Sequence, residues 1–208
     1  MLQYFQYFII DLTKFDVKIY YKICFIKFAN VYNYSCMNTA IIKLQEVNIM
    51  KDELSFRYAE RKDVPLILEF IKELADYEKL LNEVVADEAI LEEWIFDKQK
   101  AEVIFAVVNE KEIGFALFFH NFSTFLGRSG IYLEDLFVKP EYRGNGYGKA
   151  ILKKLASIAI ERKCGRLEWW CLDWNKPSID FYLSLGAQPM SDWTVYRIAG
   201  DTLTNLAK

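Results

Sequence analysis

From residue 54 onward, apolar and polar positions follow short periodic blocks that predict a succession of strands and helices. The segment LSFRYAE (54–60) is typical of a strand, and Asp63 with Pro65 predicts the start of a helix. The helix that follows has apolar residues spaced four and then three apart, which gives it one buried face. These residues are Ile67, Ile71 and Leu74.

The remaining pattern extends this alternation to residue 198. It first predicts a short helix capped by Asp87 and carrying Ile90, Leu91 and Trp94, and then strands at 102–108 and 112–119 joined by a tight hairpin at 109–111. A strand at 130–138 and a helix at 147–163, closed by Gly165, follow. The last elements are a strand at 166–172, a short helix from Pro177 to Gly186 and a strand at 193–198. Short turns join antiparallel strands, whereas a strand–helix–strand crossover joins parallel ones. The fold class is therefore α/β, with a mixed, mostly antiparallel sheet and a parallel strand–helix–strand core.

Residues 1–49 have a different composition from the rest of the chain. They contain neither Gly nor Pro, and Phe, Tyr, Ile, Lys and Asn dominate. Charged residues interrupt every apolar run, so the segment matches neither a membrane span nor a secretory signal. We expect residues 50–208 to form the folded domain. Residues 1–49 are an atypical extension, explained either by translation of upstream DNA before a true start at Met50 or by a genuine segment that packs on a partner.

Composition and charge exclude several classes of protein. A net charge of −3 gives no basic field for a phosphate backbone, so we expect no nucleic-acid partner. The four cysteines form no C-x-x-C pair, and with one histidine a metal site is not expected. The same shortage of imidazole argues against a Ser–His or Cys–His nucleophile. Free thiols suit a reducing compartment, so we expect a cytoplasmic protein without membrane association.

The segment VKPEYRGNGYGKAIL (138–152) is the most informative part of the chain. A strand ends, and three glycines then lead into a helix: Gly144, Gly146 and Gly148. Backbone N–H groups that converge without Cβ atoms, together with the positive end of the helix dipole, form a nest for a di-anion such as a pyrophosphate. The segment lacks the G-K-[ST] of a P-loop, and Lys149 stands where a dinucleotide fingerprint needs glycine.

The pattern R-x-x-G-x-G in this loop resembles the acetyl-CoA loop of the GCN5-related N-acetyltransferases. Three further segments are similar, in order, to the spermidine/spermine (diamine) acetyltransferase branch: IKELADYEK (71–79), YLEDLFV (132–138) and WNKPSIDFYLSLGA (174–187). The resemblance covers about residues 54–200. It implies an N-acetyltransferase fold, acetyl-CoA as co-substrate and no metal. It also implies a homodimer formed through sheet edges and C-terminal segments.

The resemblance also implies roles for individual residues. The backbone of Leu136, Phe137 and Val138 would pair with the pantetheine arm, and the Leu136 amide would face the thioester carbonyl. The residues implied to hold the rest of the cofactor are Arg143, Gly144, Asn145, Gly146, Tyr147, Gly148, Lys149, Asn175, Lys176, Pro177 and Ser178. Tyr182 falls on the catalytic tyrosine that meets the departing thiolate. The residues implied to line the amine site are Tyr77, Glu78, Glu134, Glu168, Trp169 and Trp170.

The chemistry of these residue types fits acyl transfer to an amine, which needs an oxyanion donor, a proton sink for the ammonium and a proton for the thiolate. Glu134 and Asp135 lie inside an apolar strand, where a charge is costly without a partner such as an ammonium. A structural hydrogen bond to a strand bulge is the alternative, especially for Asp135. Trp169 and Trp170 alternate across their strand, so one can be core while the other covers a cation.

The sequence leaves the substrate open. A diamine or polyamine, a thialysine-like amino acid and another primary amine all fit the acidic residues. Two other functions also remain: an acyl-CoA-binding regulatory domain without catalysis, and an acetyltransferase for protein lysines or N-terminal amines. Tyr182 and the strand with Glu134 favour the enzyme, because sensing requires neither.

Overall fold

The computed structural model describes residues 53–208, and its centre is a five-stranded sheet with strand order β1-β2-β3-β4-β5. The strands are β1 (Leu54–Tyr58), β2 (Glu102–Val108), β3 (Lys111–Ser123), β4 (Arg128–Val138) and β5 (Leu167–Trp169). The first four pair antiparallel, and β5 pairs parallel to β4. The predicted α/β class with a mixed, mostly antiparallel sheet is confirmed.

The helices occupy the connections between the strands. They are α1 (Val64–Tyr77), α2 (Glu88–Leu91), which continues as the π-helix Glu92–Asp97, α3 (Tyr147–Glu161), α4 (Lys176–Ser184) and α5 (Gly200–Leu206). Single 3₁₀ turns lie at Arg61–Asp63, Leu81–Glu83 and Pro140–Tyr142. Helix α3 is the crossover between the parallel strands β4 and β5, as the pattern predicts.

Each face of the sheet is covered by its own apolar core. On one face, Ile151 and Leu155 of α3 pack against strand residues such as Leu133 and Val138. On the other, Ile67 and Phe70 of α1 pack against a set that includes Phe137. Strand side chains alternate between faces, so β4 supplies both cores and fixes α1 and α3 on opposite sides of itself. The α1 face and the α3 face are named accordingly below.

Several local predictions are confirmed by the backbone and its hydrogen bonds. Asp63 is the N-cap of α1 with Pro65 in the first turn, and the Asp87 carboxylate accepts a hydrogen bond from the Ile90 amide. The β2–β3 connection is a two-residue turn in which Asn109 and Glu110 both have positive φ, of 49° and 63°. Such a turn matches the twist of the flanking strands.

Three predictions near the C-terminal half are wrong in detail. Helix α3 ends at Glu161, and Lys163, not Gly165, adopts the left-handed conformation (φ 58°) that follows it. Gly165 is instead a position of close approach, because a Cβ there would lie 2.8 Å from Leu126 Cδ1. Strand β5 spans only Leu167–Trp169, shorter than the predicted 166–172.

The predicted strand at 193–198 does not form, and this segment has no regular secondary structure. All of its residues are exposed, and Tyr196 is 91% accessible. A strand requires a neighbour that supplies hydrogen bonds to its backbone, and none of the five described strands offers it one. The aromatic and β-branched residues that favour a strand here therefore lack the partner strand that they would need.

The expectations for residues 1–49, and for a start at Met50, lie outside the described part of the chain. Within residues 53–208, no helix is long and apolar enough to cross a membrane. The same range contains no group of three or more His, Cys, Asp or Glu side chains that could hold a metal ion. Cys164 and Cys171 are free thiols, each half-buried.

Candidate active site

A bulge in β4 determines where the predicted acidic residues lie. Leu117 of β3 pairs with Asp135 and Phe118 pairs with Leu133, so Glu134 is an extra residue on β4. Leu133 and Val138 both pack in the core on the α3 face although five positions separate them, which requires one break in the alternation. The break leaves Glu134 and Asp135 together on the α1 face, where otherwise one of them would enter the core on the α3 face.

Strands β4 and β5 separate immediately after this bulge. Their pairing covers only residues 131–133 and 167–169, so no described strand pairs with the edge of β4 at 134–138. The Lys139 amide donates to Ile113 O of β3 at 2.9 Å. By alternation, the amides of Leu136 and Val138 point the other way, toward this free edge. Such an edge can pair with an extended ligand, as an added strand would.

The glycine loop lies at the end of that edge. Gly144 and Gly146 have φ of 80° and 81°, a conformation that glycine adopts without steric cost, and a Cβ at either would meet nothing within 4 Å. Gly146 is the N-cap of the 15-residue helix α3. The Asn145 side-chain amide donates to Tyr142 O at 3.1 Å and so stabilises the turn. The loop is therefore open, and its amides can converge on an anion at the helix N-terminus.

Arg143 attaches the loop to the free edge. Its Nε donates to Val138 O at 2.8 Å, and its guanidinium carbon lies 4.8 Å from the Tyr77 ring centroid and 5.0 Å from that of Phe137. The side chain therefore positions the loop and stacks on two aromatic rings. Lys149, in the first turn of α3, is exposed and adds charge at the same helix end.

The start of α4 contacts the end of α1. Asn175, 6% exposed, is the N-cap of α4, and its Oδ1 accepts from the Ser178 amide at 3.4 Å and from the Tyr77 hydroxyl at 3.2 Å. Lys176 is exposed and pairs with Asp180 at 2.8 Å, one helical turn away. Pro177 stands in the first turn of the helix. This contact closes one side of the space beside the glycine loop.

Tyr182 lies on α4, next to the last residue of β5. Its ring packs against Trp169 with centroids 5.0 Å apart, and Phe181 beside it approaches Gly148 of α3. Burial raises the pKa of Tyr182 to about 12, and Cys171, Glu78 and Tyr77 contribute to the rise. The hydroxyl is therefore a hydrogen-bond donor that stays protonated at neutral pH.

Two carboxyl groups of the site, those of Asp135 and Glu78, titrate unusually. Burial raises the pKa of Asp135 to about 7, with further contributions from the charges of Glu134 and Glu78. Burial also raises the pKa of Glu78, which follows the last turn of α1. An ammonium placed among these three groups would favour their charged forms. The bulge and the end of α1 thus assemble an acidic site beside Tyr182.

The other predicted amine-site residues lie on both faces of the sheet. Glu168 is on the α1 face opposite Tyr132, and its Oε2 lies 2.7 Å from Arg166 Nε and accepts from the Asn121 amide at 2.6 Å. Trp169 packs on the core of the α3 face. Trp170 is 56% exposed and meets Tyr132 edge to face at 5.8 Å.

Some site residues were not predicted from the sequence. Cys171 lies outside the four motifs, and Tyr132, the first residue of the motif YLEDLFV, was given no role. His120, the one histidine of the chain, is exposed. The raised pKa of Asp135 depends on burial and on Glu78, which is distant in sequence, so no local pattern could have revealed it.

Comparisons with known proteins agree with this geometry. The Acetyltransferase (GNAT) family model matches residues 68–187. The thialysine N-epsilon-acetyltransferase of Bos taurus is 39% identical over 163 residues, which cover 73% of this chain and 95% of that protein. The spermidine/spermine N(1)-acetyltransferase-like protein 1 of Homo sapiens is 32% identical over 75% of this chain and 24% of its own length.

A solved structure, an integron cassette protein from the mobile metagenome of V. cholerae, superimposes with a TM-score of 0.63 at 32% identity. The match covers 74% of this chain and 98% of that one. The chain belongs to the GNAT acetyltransferase family, and it is an N-acetyltransferase. The family predicted from four sequence motifs is confirmed.

Replacing Gly146 tests the loop. Gly146→Val should abolish acetyl-CoA binding with the fold intact, because a β-branched residue is strained at φ 81° and its side chain would enter the open nest. Titration calorimetry measures the affinity, and circular dichroism the fold.

Gly127→Val is the matched control, since Gly127 also has positive φ (63°) and open space around it but lies in the β3–β4 turn. We expect it to lose stability and keep its affinity. A folded Gly146→Val protein with unchanged affinity would show that the anion lies elsewhere.

Proposed function

We propose that the chain transfers the acetyl group of acetyl-CoA to a primary amine of a small cationic substrate, either a diamine or polyamine or a lysine-like amino acid. The observation that carries the proposal is the bulge at Glu134. It places two carboxyl groups on one face of β4 immediately beside a backbone edge that pairs with none of the described strands. An amine and an extended acyl donor would therefore meet at the same few residues.

The residues around the edge fit acetyl-CoA. The amides of Leu136 and Val138 suit the pantetheine arm, and the glycine loop at the α3 N-terminus suits the pyrophosphate. The exposed Lys149 and the start of α4 flank the remaining space. When bound, acetyl-CoA supplies a thioester carbon that an unprotonated amine attacks, so that the N–C bond forms and the C–S bond breaks.

The carboxyl groups act on the amine. Glu134 and Asp135 attract the ammonium to the α1 face, and Glu78 adds a third negative charge there. The amine must lose a proton before it attacks, and a carboxylate whose pKa is near 7 is a better acceptor than one at the ordinary value near 4. The Leu136 amide, pointing into the gap, is placed to donate to the acyl oxygen.

Tyr182 acts on the leaving group. A phenol with a pKa of about 12 gives its proton to a thiolate of pKa near 8.5 only at an uphill cost of about 5 kcal/mol. Donating a hydrogen bond to the thiolate carries no such cost. We therefore assign Tyr182 the stabilisation of the departing sulfur by a hydrogen bond, with proton transfer completed afterwards.

Tyr182→Phe tests this assignment. We expect kcat to fall about 10²- to 10⁴-fold with nearly unchanged acetyl-CoA affinity, because the ring keeps its packing on Trp169 and only the hydroxyl is lost. Tyr58→Phe, at an exposed tyrosine beside Arg162, is the control and should keep full activity. A silent Tyr182→Phe would mean that the thiolate departs without this hydroxyl.

The pH dependence tests the acidic pair. Asp135 acts as a base only when ionised, so the activity that depends on it declines as the pH falls through 7 and approaches its maximum above it. Dividing wild-type kcat/KM by that of Asp135→Asn cancels the titration of the amine itself. We expect this ratio to rise about tenfold between pH 6 and pH 8, the change in the ionised fraction of a group with pKa near 7.

Glu134→Gln should behave differently. It should raise KM for a cationic amine more than it lowers kcat, because it removes ground-state attraction. The increase in kcat/KM with pH that depends on Asp135 should remain in this variant but occur at lower pH. The reason is that the Glu134 charge is among the causes that raise the Asp135 pKa. If the ratio of wild-type kcat/KM to that of Asp135→Asn does not change with pH, the role given to Asp135 is contradicted.

The family branch and the exposed C-terminal segment support a homodimer. Trp193, Tyr196 and Ile198 are exposed in a segment rich in aromatic and β-branched residues, which are typical of a strand. A second copy would supply the missing backbone partner. Light scattering at micromolar concentration should give twice the chain mass, and Tyr196→Asp should shift it toward the monomer. A monomer mass for the unaltered protein would contradict the proposal.

A screen of amines with acetyl-CoA, which detects released thiol, tests the proposed function as a whole. Diamines, polyamines, lysine-like amino acids and lysine-containing peptides are compared. We expect turnover of a small amine and little of peptides. Absence of turnover with every small amine would overturn the proposed function.

A further inference from the structure

The acidic site continues as a track along the α1 face toward β5. Tyr132 precedes the bulge by two residues and pairs with Glu168 of β5. Glu168 therefore lies across from Tyr132 on β5 and Glu134 lies two residues along β4, and the charges of both raise the pKa of Tyr132, as does burial. A linear substrate held at Glu134 and Asp135 would therefore extend over Tyr132.

The far end of this track is not available to a second ammonium. Glu168 already has a cation and an amide against one of its oxygens, because Arg166 lies at 2.7 Å and Asn121 donates at 2.6 Å. A second guanidinium, that of Arg197, lies over the ring of Trp170, which itself contacts Tyr132. Because Glu168 is already paired with Arg166 and Arg197 lies beside Trp170, this end of the track offers no uncompensated negative charge to a second ammonium.

Arg197 is held at this end by an aromatic surface and not by a carboxylate. Its guanidinium carbon lies 5.9 Å from the Trp170 ring centroid, and Trp170 meets Tyr132 edge to face. None of the ion pairs between described residues involves Arg197. An exposed guanidinium stacked on an indole retains its N–H donors for a carboxylate, which it can bind through two parallel hydrogen bonds.

The length of the track suits a lysine-like amino acid. Tyr132 and Asp135 are three residues apart, which is about 10 Å in a strand and less across a bulge. Five single bonds separate the Cα of lysine from its terminal nitrogen. Three backbone bonds span the 3.80 Å between successive Cα atoms, so five bonds span about 6 Å. The α-carboxylate of the amino acid lies beyond Cα, and the side chain of Arg197 adds its own length. The protein can therefore bind both ends of a lysine-like amino acid at once.

We infer that Arg197 is the residue that selects the substrate class: it binds the α-carboxylate of an amino acid whose terminal amine lies at Glu134 and Asp135. The inference rests on the proposed function and narrows it, since a diamine would place its second ammonium against Arg197. The terminal amine, and not the α-amine, is then the one acetylated.

The test compares two substrates that differ only by a carboxylate, L-lysine and 1,5-diaminopentane, with the full-length protein. We expect Arg197→Gln to lower kcat/KM for L-lysine at least tenfold and to leave that for 1,5-diaminopentane unchanged or raised. Lys100→Gln, which removes the same charge from an exposed position outside the track, should change neither. Acetyl-CoA affinity, measured by calorimetry, should be equal in all three proteins.

The outcomes separate the inference from the proposed function. Equal losses on both substrates in Arg197→Gln, or wild-type preference for 1,5-diaminopentane over L-lysine, would overturn the role of Arg197 while the amine acetyltransferase stands. Acetylation of L-lysine at its α-amine, identified by nuclear magnetic resonance, would overturn the proposed orientation. A wild-type protein that acetylates neither these two substrates nor any other small amine would instead overturn the proposed function.

Discussion

One inserted residue in strand β4 is the constraint on which the rest of the site depends. The bulge at Glu134 interrupts the alternation of β4, so that two consecutive carboxyl groups share the α1 face while Leu133 and Val138 remain in the core on the α3 face. Pairing with β5 ends at the same point, which frees the backbone of 134–138. A regular strand would direct one carboxyl group into an apolar core, where an unpaired charge is costly.

The surrounding elements give the free edge its chemistry. Helix α3 begins at Gly146 beyond the end of the edge and presents its positive end there. Arg143 connects the loop to the Val138 carbonyl, and Tyr77 links the end of α1 to the N-cap of α4. Helix α4 then brings Tyr182 against Trp169, beside the gap. Burial in this enclosure moves the pKa of Asp135 to about 7 and that of Tyr182 to about 12.

The sequence predicts the elements whose determinants are local. The turn at Asn109 and Glu110, the caps at Asp63 and Asp87 and the glycine loop all depend on residues adjacent in the chain. The strand predicted at 193–198 fails because a strand also needs a neighbour, which composition cannot supply. Gly165 was assigned to a helix end, whereas its lack of a side chain accommodates Leu126, a residue far along the chain.

In the candidate site, too, the sequence predicts the residues that belong to local motifs but not those that depend on the tertiary fold. Tyr182 and Glu134 were identified by motif, and the structure brings their surroundings together. The sequence left a bulge here as one of two alternatives, because two acidic residues in an apolar strand are compatible both with a bulge and with an ammonium partner. Arg197 stands in a segment with no motif, and its nearness to Tyr132 arises only from the path of the chain after α4.

Amide hydrogen exchange at β4 tests the central claim most directly. The amides of Leu136 and Val138 should exchange at least tenfold more slowly when acetyl-CoA is added at saturating concentration, because the cofactor supplies the missing hydrogen-bond partners. The Phe137 amide, which faces β3, should change little. Unchanged exchange at Leu136 and Val138, or an equal slowing at all three residues, would contradict the claim that the bulge creates the binding edge.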